Sequence, residues 1–416
     1  MQLVAYGAQD IYLTGNPQIT FFKVVYRRHT NFSMEAIIQT FNGTVGTGQS
    51  TLTATISRNG DLVSNLWLDV GLDITTLEDS EDPGYANWTN NTGHAFVKEC
   101  EIEIGGQRID RHYSQWLDVY NELTDHEESE WIGLNKHAAK NPYLNSGLRT
   151  GATEVTRLYV PLKFWFCRNP GLALPLIALQ YHEVKIILDQ RIVTAIKATN
   201  ISTKLWADYI YLDTDERRRF AQVSHEYLIE QVQEQSVTGL VNGADLNFNH
   251  PVKELIWRAG SSSSGLQRGD TDLTTTPGAL AGTAYKLKLN GHDRFAARDF
   301  TYFTRTQVLQ HHSGAGGLMI DTDTTKVGNF NDSIGVYSFA LKPEEHQPSG
   351  TCNFSRIDNA TLQLVLSNAT VSGTATAKVR VYATNYNVLR VMSGMGGLAY
   401  SCLLYTSPSP RDRQKS

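Results

Sequence analysis

Two segments of this chain alternate apolar and charged side chains and then end at a tight turn. Residues 97–104 (VKECEIEI) place cysteine and isoleucine on one face and glutamate on the other, and Gly105-Gly106 follows. Residues 285–289 (YKLKL) repeat the pattern with lysine and run into Asn290-Gly291. A period of two is typical of a half-buried strand, and both dipeptides favour hairpin turns. The pattern therefore predicts antiparallel strands in both halves of the chain.

The two hairpins occupy matching positions in the two halves. The same offset separates Ile102 from Leu287 and Gly106 from Gly291. The match suggests that one domain architecture was duplicated in tandem. Coincidence is the alternative, because only a few positions match. The length agrees with two domains, since 416 residues exceed the roughly 250 to 300 at which a single core usually stops growing.

Further short strands and two helices complete the pattern. Period-two alternation recurs in residues 362–366 and 377–383, and clusters of Gly, Asn, Ser and Thr separate the strands. This arrangement predicts an all-β sandwich or barrel. Apolar residues at helical spacing in residues 116–123 predict a short amphipathic helix whose acidic residues face solvent. Residues 215–222 (DERRRFAQ) predict a second helix, since acidic residues open it and arginines follow.

Composition argues against several classes of function. The net charge of −5 and the 19% of charged residues describe an ordinary globular protein and argue against direct nucleic-acid binding. The sequence has neither an apolar run of about 18 residues nor a signal peptide, so we do not expect export by a secretory route. The cysteines have no paired spacing, and we expect reduced, buried thiols without zinc or disulfides. They are Cys100, Cys167, Cys352 and Cys402.

The sequence predicts no catalytic, cofactor-binding or metal site. The 12 histidines form no HxH or HExxH pattern, and His311-His312 are expected to be solvated loop residues. No phosphate-binding loop and no GxSxG elbow is present. Asp213 and Asp215 lack the rest of a calcium loop, and we expect them to serve a turn or a helix cap.

Two basic clusters and the tryptophans have structural interpretations. Residues 217–219 (RRR) and 27–29 (RRH) are flanked by apolar or acidic residues. We expect them to form ion pairs with a neighbouring domain or subunit rather than to bind phosphate. Core packing is expected for six tryptophans within strand-like and helical runs. They are Trp88, Trp116, Trp131, Trp165, Trp206 and Trp257.

Several motifs, in order along the chain, resemble those of one protein family. The most specific lies in residues 337–362, where Pro348-Ser349-Gly350 precedes residues 353–358 (NFSRID). Other matching segments are residues 5–10 (AYGAQD), 16–17 (NP), 20–23 (TFFK), 181–186 (YHEVKI) and 392–400 (MSGMGGLAY). Together they resemble the major capsid protein of the large icosahedral DNA viruses of eukaryotes, which include phycodnaviruses, iridoviruses and mimiviruses.

The resemblance implies two tandem eight-stranded antiparallel jelly rolls with short inserted helices. It also implies a structural, non-enzymatic protein that trimerises into pseudo-hexagonal capsomers and tiles an icosahedral shell. The implied partners are the chain itself as a homotrimer, neighbouring capsomers and minor capsid proteins, without cofactors or direct nucleic-acid contact. The N-terminal arm is expected on the inner side, near an inner virion membrane, in a virion assembled in the host cell cytoplasm.

The resemblance also divides the chain into parts. They are an N-terminal arm (1–26), a first jelly roll (27–213), a connecting helix or linker (214–224), a second jelly roll (225–401) and a tail (402–416). Residues 402–412 (CLLYTSPSPRD) resemble the translation of a sequencing adapter. We therefore exclude the tail from the expected fold as an artefact of sequence assembly.

Two other classes of function stay open. A carbohydrate-binding jelly roll, or an enzyme derived from one, would have a groove of stacked aromatic side chains or two convergent carboxylates. A minor capsid protein, such as a penton subunit, would be expected to contain a single jelly roll. The duplicated length argues against the minor capsid protein.

Overall fold

The computed structural model consists mainly of antiparallel strands. It describes residues 8, 10–24, 26–43, 50–74, 92–124, 154–190, 198–238, 243–261, 285–314, 316, 334–364 and 377–400. The strands of the first half are β1 (Phe32–Gln39), β2 (Phe41–Asn42), β3 (Ser50–Thr55), β4 (Leu62–Ile74), β5 (Val97–Ile104), β6 (Gln107–Tyr113), β7 (Glu154–Pro161), β8 (Leu174–Pro175), β9 (Val184–Gln190) and β10 (Ala198–Leu212). Those of the second half are β11 (His225–Thr238), β12 (Ala244–Leu246), β13 (Pro251–Ser261), β14 (Lys286–Leu289), β15 (His292–Asp293), β16 (Gly335–Ser338), β17 (Cys352–Asn353), β18 (Ala360–Gln363), β19 (Ala377–Met392) and β20 (Met395–Leu398).

Short helices connect and flank these strands. The α-helices are α1 (Ile11–Thr14), α2 (Thr92–Phe96), α3 (Ser114–Leu123), α4 (Trp165–Arg168), α5 (Thr214–Gln222) and α6 (Gln307–His311). A π-helical segment, Tyr302–Thr306, leads directly into α6. Two 3₁₀ turns lie at Pro170–Leu172 and Phe354–Arg356.

The first ten strands form two sheets that share one core. Sheet A has the strand order β1-β10-β4-β7, with β8 paired to β4, and sheet B has the order β2-β3-β9-β5-β6. Leu52 of β3 and Leu68 of β4 are fully buried in the same hydrophobic cluster. Because the two inner faces bury alternate apolar residues against each other, the hydrophobic effect stabilises this sandwich.

The second ten strands repeat the same plan. Sheet C has the order β11-β19-β13-β16, with β17 on β13 and β20 on β19, and sheet D has the order β12-β18-β14-β15. The eight main strands of the first half are β1, β3, β4, β5, β6, β7, β9 and β10, and those of the second are β11, β12, β13, β14, β15, β16, β18 and β19. In both halves, the successive main strands are distributed between the two sheets in the same order. The predicted double jelly roll is therefore confirmed.

Both predicted hairpins are present, and they occupy the same place in the two jelly rolls. Gly105 and Gly106 have φ of 59° and 80° and join β5 to β6. Asn290 and Gly291 have φ of 50° and 80° and join β14 to β15. Positive φ at both central residues is the requirement of a type I′ turn, which explains these residue types. Since β5-β6 ends sheet B and β14-β15 ends sheet D, the sequence match between the hairpins is mirrored in the topology.

Helix α5 lies between the two jelly rolls in sequence and is held to the first of them. The side chain of Asp213 accepts a hydrogen bond from the backbone N–H of Thr214 at 2.7 Å, as expected for a helix cap. The guanidinium of Arg217 approaches both carboxylate oxygens of Asp61, with N–O distances of 3.0 Å. The expected ion pair to a neighbouring domain is thus found at Arg217.

Helix α3 is present where the sequence predicts it, but its surroundings differ from the expectation. Asp118 and Glu122 are 0% and 3% exposed, so the prediction that the acidic residues face solvent is wrong for both. Asp118 can be buried because its carboxylate Oδ1 lies 2.5 Å from Nδ1 of His94, which is also fully buried. Trp88, Trp131 and the tail from residue 402 lie outside the described residues.

Candidate functional site

The described part of the chain offers two features for a candidate site: the contact between its jelly rolls, and the surfaces left exposed. Helix α3 forms the centre of the contact. Its Leu117 packs into the core of the first jelly roll, whereas Trp116 packs against side chains of the second. The rings of Trp116 and Tyr382 lie 5.4 Å apart, and the hydroxyl of Tyr382 donates to Oε1 of Gln115 at 3.1 Å. The cluster on this side of α3 contains Trp116, Val119, Leu123, Val232, Ile256, Val308, Ile334, Val336 and Tyr382.

Strands β6 and β11 add buried hydrogen bonds to this contact. The carboxylate of Asp110 accepts a hydrogen bond from the backbone N–H of Val232 at 3.1 Å. The side-chain amide of Gln231 donates to the carbonyl of Ile109. Buried polar groups of this kind stabilise one relative placement of two domains, because any other placement would leave them without partners.

An ion pair also joins the two jelly rolls, and a cation of the second jelly roll adds to it. Arg168 of α4 lies 2.8 Å from Oε2 of Glu230 on β11, and Lys253 of β13 lies 2.8 Å from the same oxygen. The ammonium of Lys253 also donates to the carbonyl of Pro343 at 2.6 Å. The Arg168 guanidinium lies 4.5 Å from the ring centroid of Tyr120 on α3. Two cations thus neutralise one carboxylate at the border between the domains.

His312 lies beside this group and between two carboxylates. Its side chain is 3% exposed; Nε2 is 3.2 Å from Glu254, and Nδ1 is 3.0 Å from Glu344. Burial alone would lower the pKa of His312, but hydrogen bonds and charge from both glutamates outweigh burial and raise it to about 9. Burial alone would raise the pKa of Glu254, but His312, Lys253 and Thr384 lower it to about 2. The structure therefore holds a charged Glu–His–Glu group in which the side chains of Glu254 and His312 are buried and that of Glu344 is partly exposed.

The expectation of solvated loop histidines is wrong for His312. The residue follows the last turn of α6 and points between β13 and the segment that contains Glu344. The Nδ1 of His311 lies 3.1 Å from the carbonyl of Leu341 and takes no part in the contacts with Glu254 and Glu344. Sequence reasoning missed the whole charged group. The one available signal was Lys253-Glu254, two charged residues within the apolar run of β13.

The N-terminal segment exposes an unusual amount of apolar surface. Its large apolar side chains are between 64% and 99% exposed. They are Ile11, Tyr12, Ile19, Phe21, Phe22, Val24 and Tyr26. Contiguous exposed apolar surface of this kind usually marks an interaction site.

The cysteines and tryptophans were predicted to be structural. Cys100 is buried and unpaired, and burial raises the pKa of the Cys167 thiol to about 12, so neither is a reactive thiolate. Trp116, Trp165 and Trp257 are buried as predicted. Core packing is wrong for Trp206, which is partly exposed on the side of sheet A that faces away from the core.

Two further kinds of site are absent from the described residues. No helix among them is long and apolar enough to cross a membrane. No group of three or more His, Cys, Asp or Glu in those segments is arranged to hold a metal ion.

Comparison with known proteins identifies the family. The family model described as "Major capsid protein N-terminus" matches residues 20–213, and the one described as "Large eukaryotic DNA virus major capsid protein" matches residues 216–397. This chain belongs to the major capsid proteins of large eukaryotic DNA viruses. This capsid protein is 53% identical to the major capsid protein of Pyramimonas orientalis virus, over 96% of this chain and 98% of the relative. It is 41% identical to that of Paramecium bursaria Chlorella virus 1, with the same coverage.

Solved structures agree with this assignment. A chain of the PBCV-1 virus capsid has a TM-score of 0.73 and 37% identity, covering 92% of the capsid protein and 100% of that chain. The Faustovirus major capsid protein has a TM-score of 0.66 at 14% identity, over 93% and 94% of the two chains, which shows a shared fold. The capsid protein is therefore a component of a virus shell.

Proposed function

We propose that this capsid protein forms a homotrimer, which is the pseudo-hexagonal capsomer that tiles an icosahedral shell. The observation that carries the proposal is the repeated jelly roll, joined into one unit by α3 and the charged contacts around Glu230. A closed trimer of such chains presents six similar wedges, so one protein can occupy hexagonal positions of a lattice. Antiparallel sandwiches also leave few free strand edges.

The proposed action is contact between surfaces, without bond-making chemistry, cofactor or direct nucleic-acid contact. Burial of apolar area between subunits contributes roughly 25 cal/mol per Å² before the costs of association. In this scheme, the arm comprises residues 1–26 and the two jelly rolls comprise residues 27–213 and 225–401, with residues 214–224 as the connection.

The trimer is tested by size-exclusion chromatography with light scattering. We expect a stable particle of three times the 46.4 kDa chain mass. A monomer would contradict the proposal, and a monomer that binds immobilised oligosaccharides would favour the carbohydrate-binding alternative instead.

We further propose that residues 1–26 dock on neighbouring capsomers or minor capsid proteins at the inner side of the shell, close to an inner virion membrane. The exposed aromatic side chains Tyr12, Phe21 and Phe22 support this role, because they lose contact with water only when a partner covers them. The turn at Gly15-Asn16-Pro17 prevents a long regular element, which suits a segment that follows a neighbouring surface. We place assembly in the host cell cytoplasm.

Deleting residues 1–26 is expected to leave the trimer intact and to impair shell assembly. The expected reason is that the arm contributes apolar contacts between capsomers but lies outside both jelly-roll cores. Light scattering measures the trimer, and electron microscopy of particles from virus-infected or co-expressing cells measures the shell.

Point variants distinguish the loss of apolar contacts from the effect of shortening the chain. Replacing Phe21 and Phe22 by serine should reproduce the assembly defect, while replacing the polar, exposed Gln18 and Lys23 by serine should not. Normal numbers of intact shells from the deletion would contradict the proposal.

A further inference from the structure

The two jelly rolls differ in what covers the outer side of their equivalent sheets. Sheets A and C each turn one side toward their own core. The other side of sheet C carries Val232, Ile256, Val336 and Tyr382, and α3 of the first jelly roll covers it together with Val308 of α6. The repeat of the fold therefore predicts a similar cover on the other side of sheet A.

Within the described part of the chain, large apolar side chains on that side of sheet A remain accessible. Ile38 of β1 is opposite Trp206 of β10, which is opposite Trp67 of β4. Ile38 is 44% exposed, and both tryptophans are partly exposed. We name this surface the open face and define it by Phe32, Met34, Ile38, Trp67, Tyr159 and Trp206.

The second jelly roll has its own counterpart of α3. It runs from Tyr302 to His311, and we name it the outer helix. It follows β15 as α3 follows β6, and these are equivalent strands in the two jelly rolls. Phe303 is buried in the core of its own jelly roll, as Leu117 of α3 is in the other.

The exposed residue of the outer helix matches a buried residue of α3. Leu123 lies six positions after Leu117, and Leu309 lies six positions after Phe303. Leu123 is covered by the second jelly roll, whereas Leu309 is 84% exposed. In the described part of the chain, Val308 of the outer helix packs beside α3 on sheet C, whereas Leu309 stays exposed and the open face of sheet A keeps large apolar side chains accessible.

We propose that the outer helix of one copy docks on the open face of a second copy, with Leu309 packed near Trp67 and Trp206. This inference rests on the proposed trimer and names the surfaces that form it. The contact would repeat between copies what α3 does within one chain. It is head-to-tail, so every copy offers one helix and one face, and three copies close the ring. Tryptophan is enriched at the centres of interfaces, and Leu309 supplies an exposed apolar side chain for Trp67 and Trp206 to cover.

The test is the oligomeric state of the full chain and three variants, measured by size-exclusion chromatography with light scattering. Leu309→Asp places a charge on the outer helix, and Ile38→Asp places one on the open face. We expect both variants to lose the trimer at concentrations where the wild type keeps it. Val223→Asp is the matched control, because Val223 is an exposed apolar residue outside both surfaces, and it should remain trimeric. Circular dichroism and thermal melting verify that each variant folds.

A cross-link identifies the partner surface directly. A benzoylphenylalanine at position 309, activated by light in a mixture of ¹⁵N-labelled and unlabelled chains, is expected to join β1, β4 or β10 of another copy. Cross-links confined to the second jelly roll of the other copy would overturn the inference, as would a Leu309→Asp chain that stays trimeric. In both cases the wild-type trimer would still support the proposed function. A monomeric wild type would contradict that function itself.

Discussion

Replacing Leu123 by alanine is expected to lower the free energy of unfolding by about 2–5 kcal/mol. Leu123 is buried between α3 and the second jelly roll, in the cluster that contains Trp116 and Tyr382. The substitution removes apolar contacts and leaves a cavity that close-packed neighbours fill only in part. Because this cluster joins the two jelly rolls, the loss should also weaken their coupling and broaden or split the unfolding transition.

Denaturant unfolding of the folded protein at fixed concentration measures this effect. The matched control is Leu341→Ala, since Leu341 is an exposed leucine of the second jelly roll. Its free energy of unfolding should change by less than about 0.5 kcal/mol. Equal destabilisation by both variants would contradict the proposed role of α3 as the joint between the domains.

Replacing His312 by glutamine is expected to lower the free energy of unfolding at pH 6 by about 3 kcal/mol. The charged imidazole neutralises Glu254, which is buried on β13 and accepts a further hydrogen bond from Thr384 at 2.8 Å. Glutamine can donate a hydrogen bond but carries no charge, so the buried carboxylate would lose the cation with which it forms an ion pair.

The pH dependence has a definite sign. The pKa of His312 is about 9 in the fold against an ordinary 6.5, so its stabilisation is complete below pH 6.5 and is lost as the pH rises toward 9. The pKa of Glu254 is about 2 against an ordinary 4.5, so its stabilisation is complete above pH 4.5 and is lost as the pH falls toward 2. This group therefore contributes most between pH 4.5 and 6.5.

Unfolding free energies of wild type and variants at several pH values test both statements. In His312→Gln, the decline between pH 6.5 and 9 should become shallower. The control is His311→Gln, which changes the adjacent histidine, whose ring contacts the carbonyl of Leu341 rather than a carboxylate, and should keep the wild-type pH dependence. An unchanged pH profile in His312→Gln would show that the charge of His312 does not stabilise the fold.

The sequence alone predicts the features that depend on neighbours along the chain. The hairpins at Gly105-Gly106 and Asn290-Gly291 follow from the backbone freedom of glycine and asparagine, and alternation in residues 97–104 follows from the geometry of a strand. Helix α5 is predicted because acidic residues and a cap at Asp213 favour its first turn. The resemblance to the capsid-protein family, and the double jelly roll that it implies, also rest on short motifs that occur in a fixed order along the chain.

Only the tertiary structure decided which polar and aromatic side chains are buried. Aspartate and histidine are residue types that usually face solvent, yet Asp118 and His312 are buried and paired by residues distant in sequence. Tryptophan is a residue type that is usually found in cores, yet Trp206 lies on the outer side of its sheet. Spacing along a strand or helix shows which residues share a side, but what packs against that side is decided by elements far away in the chain. Only the tertiary structure therefore shows what packs against α3 and which N-terminal side chains stay exposed.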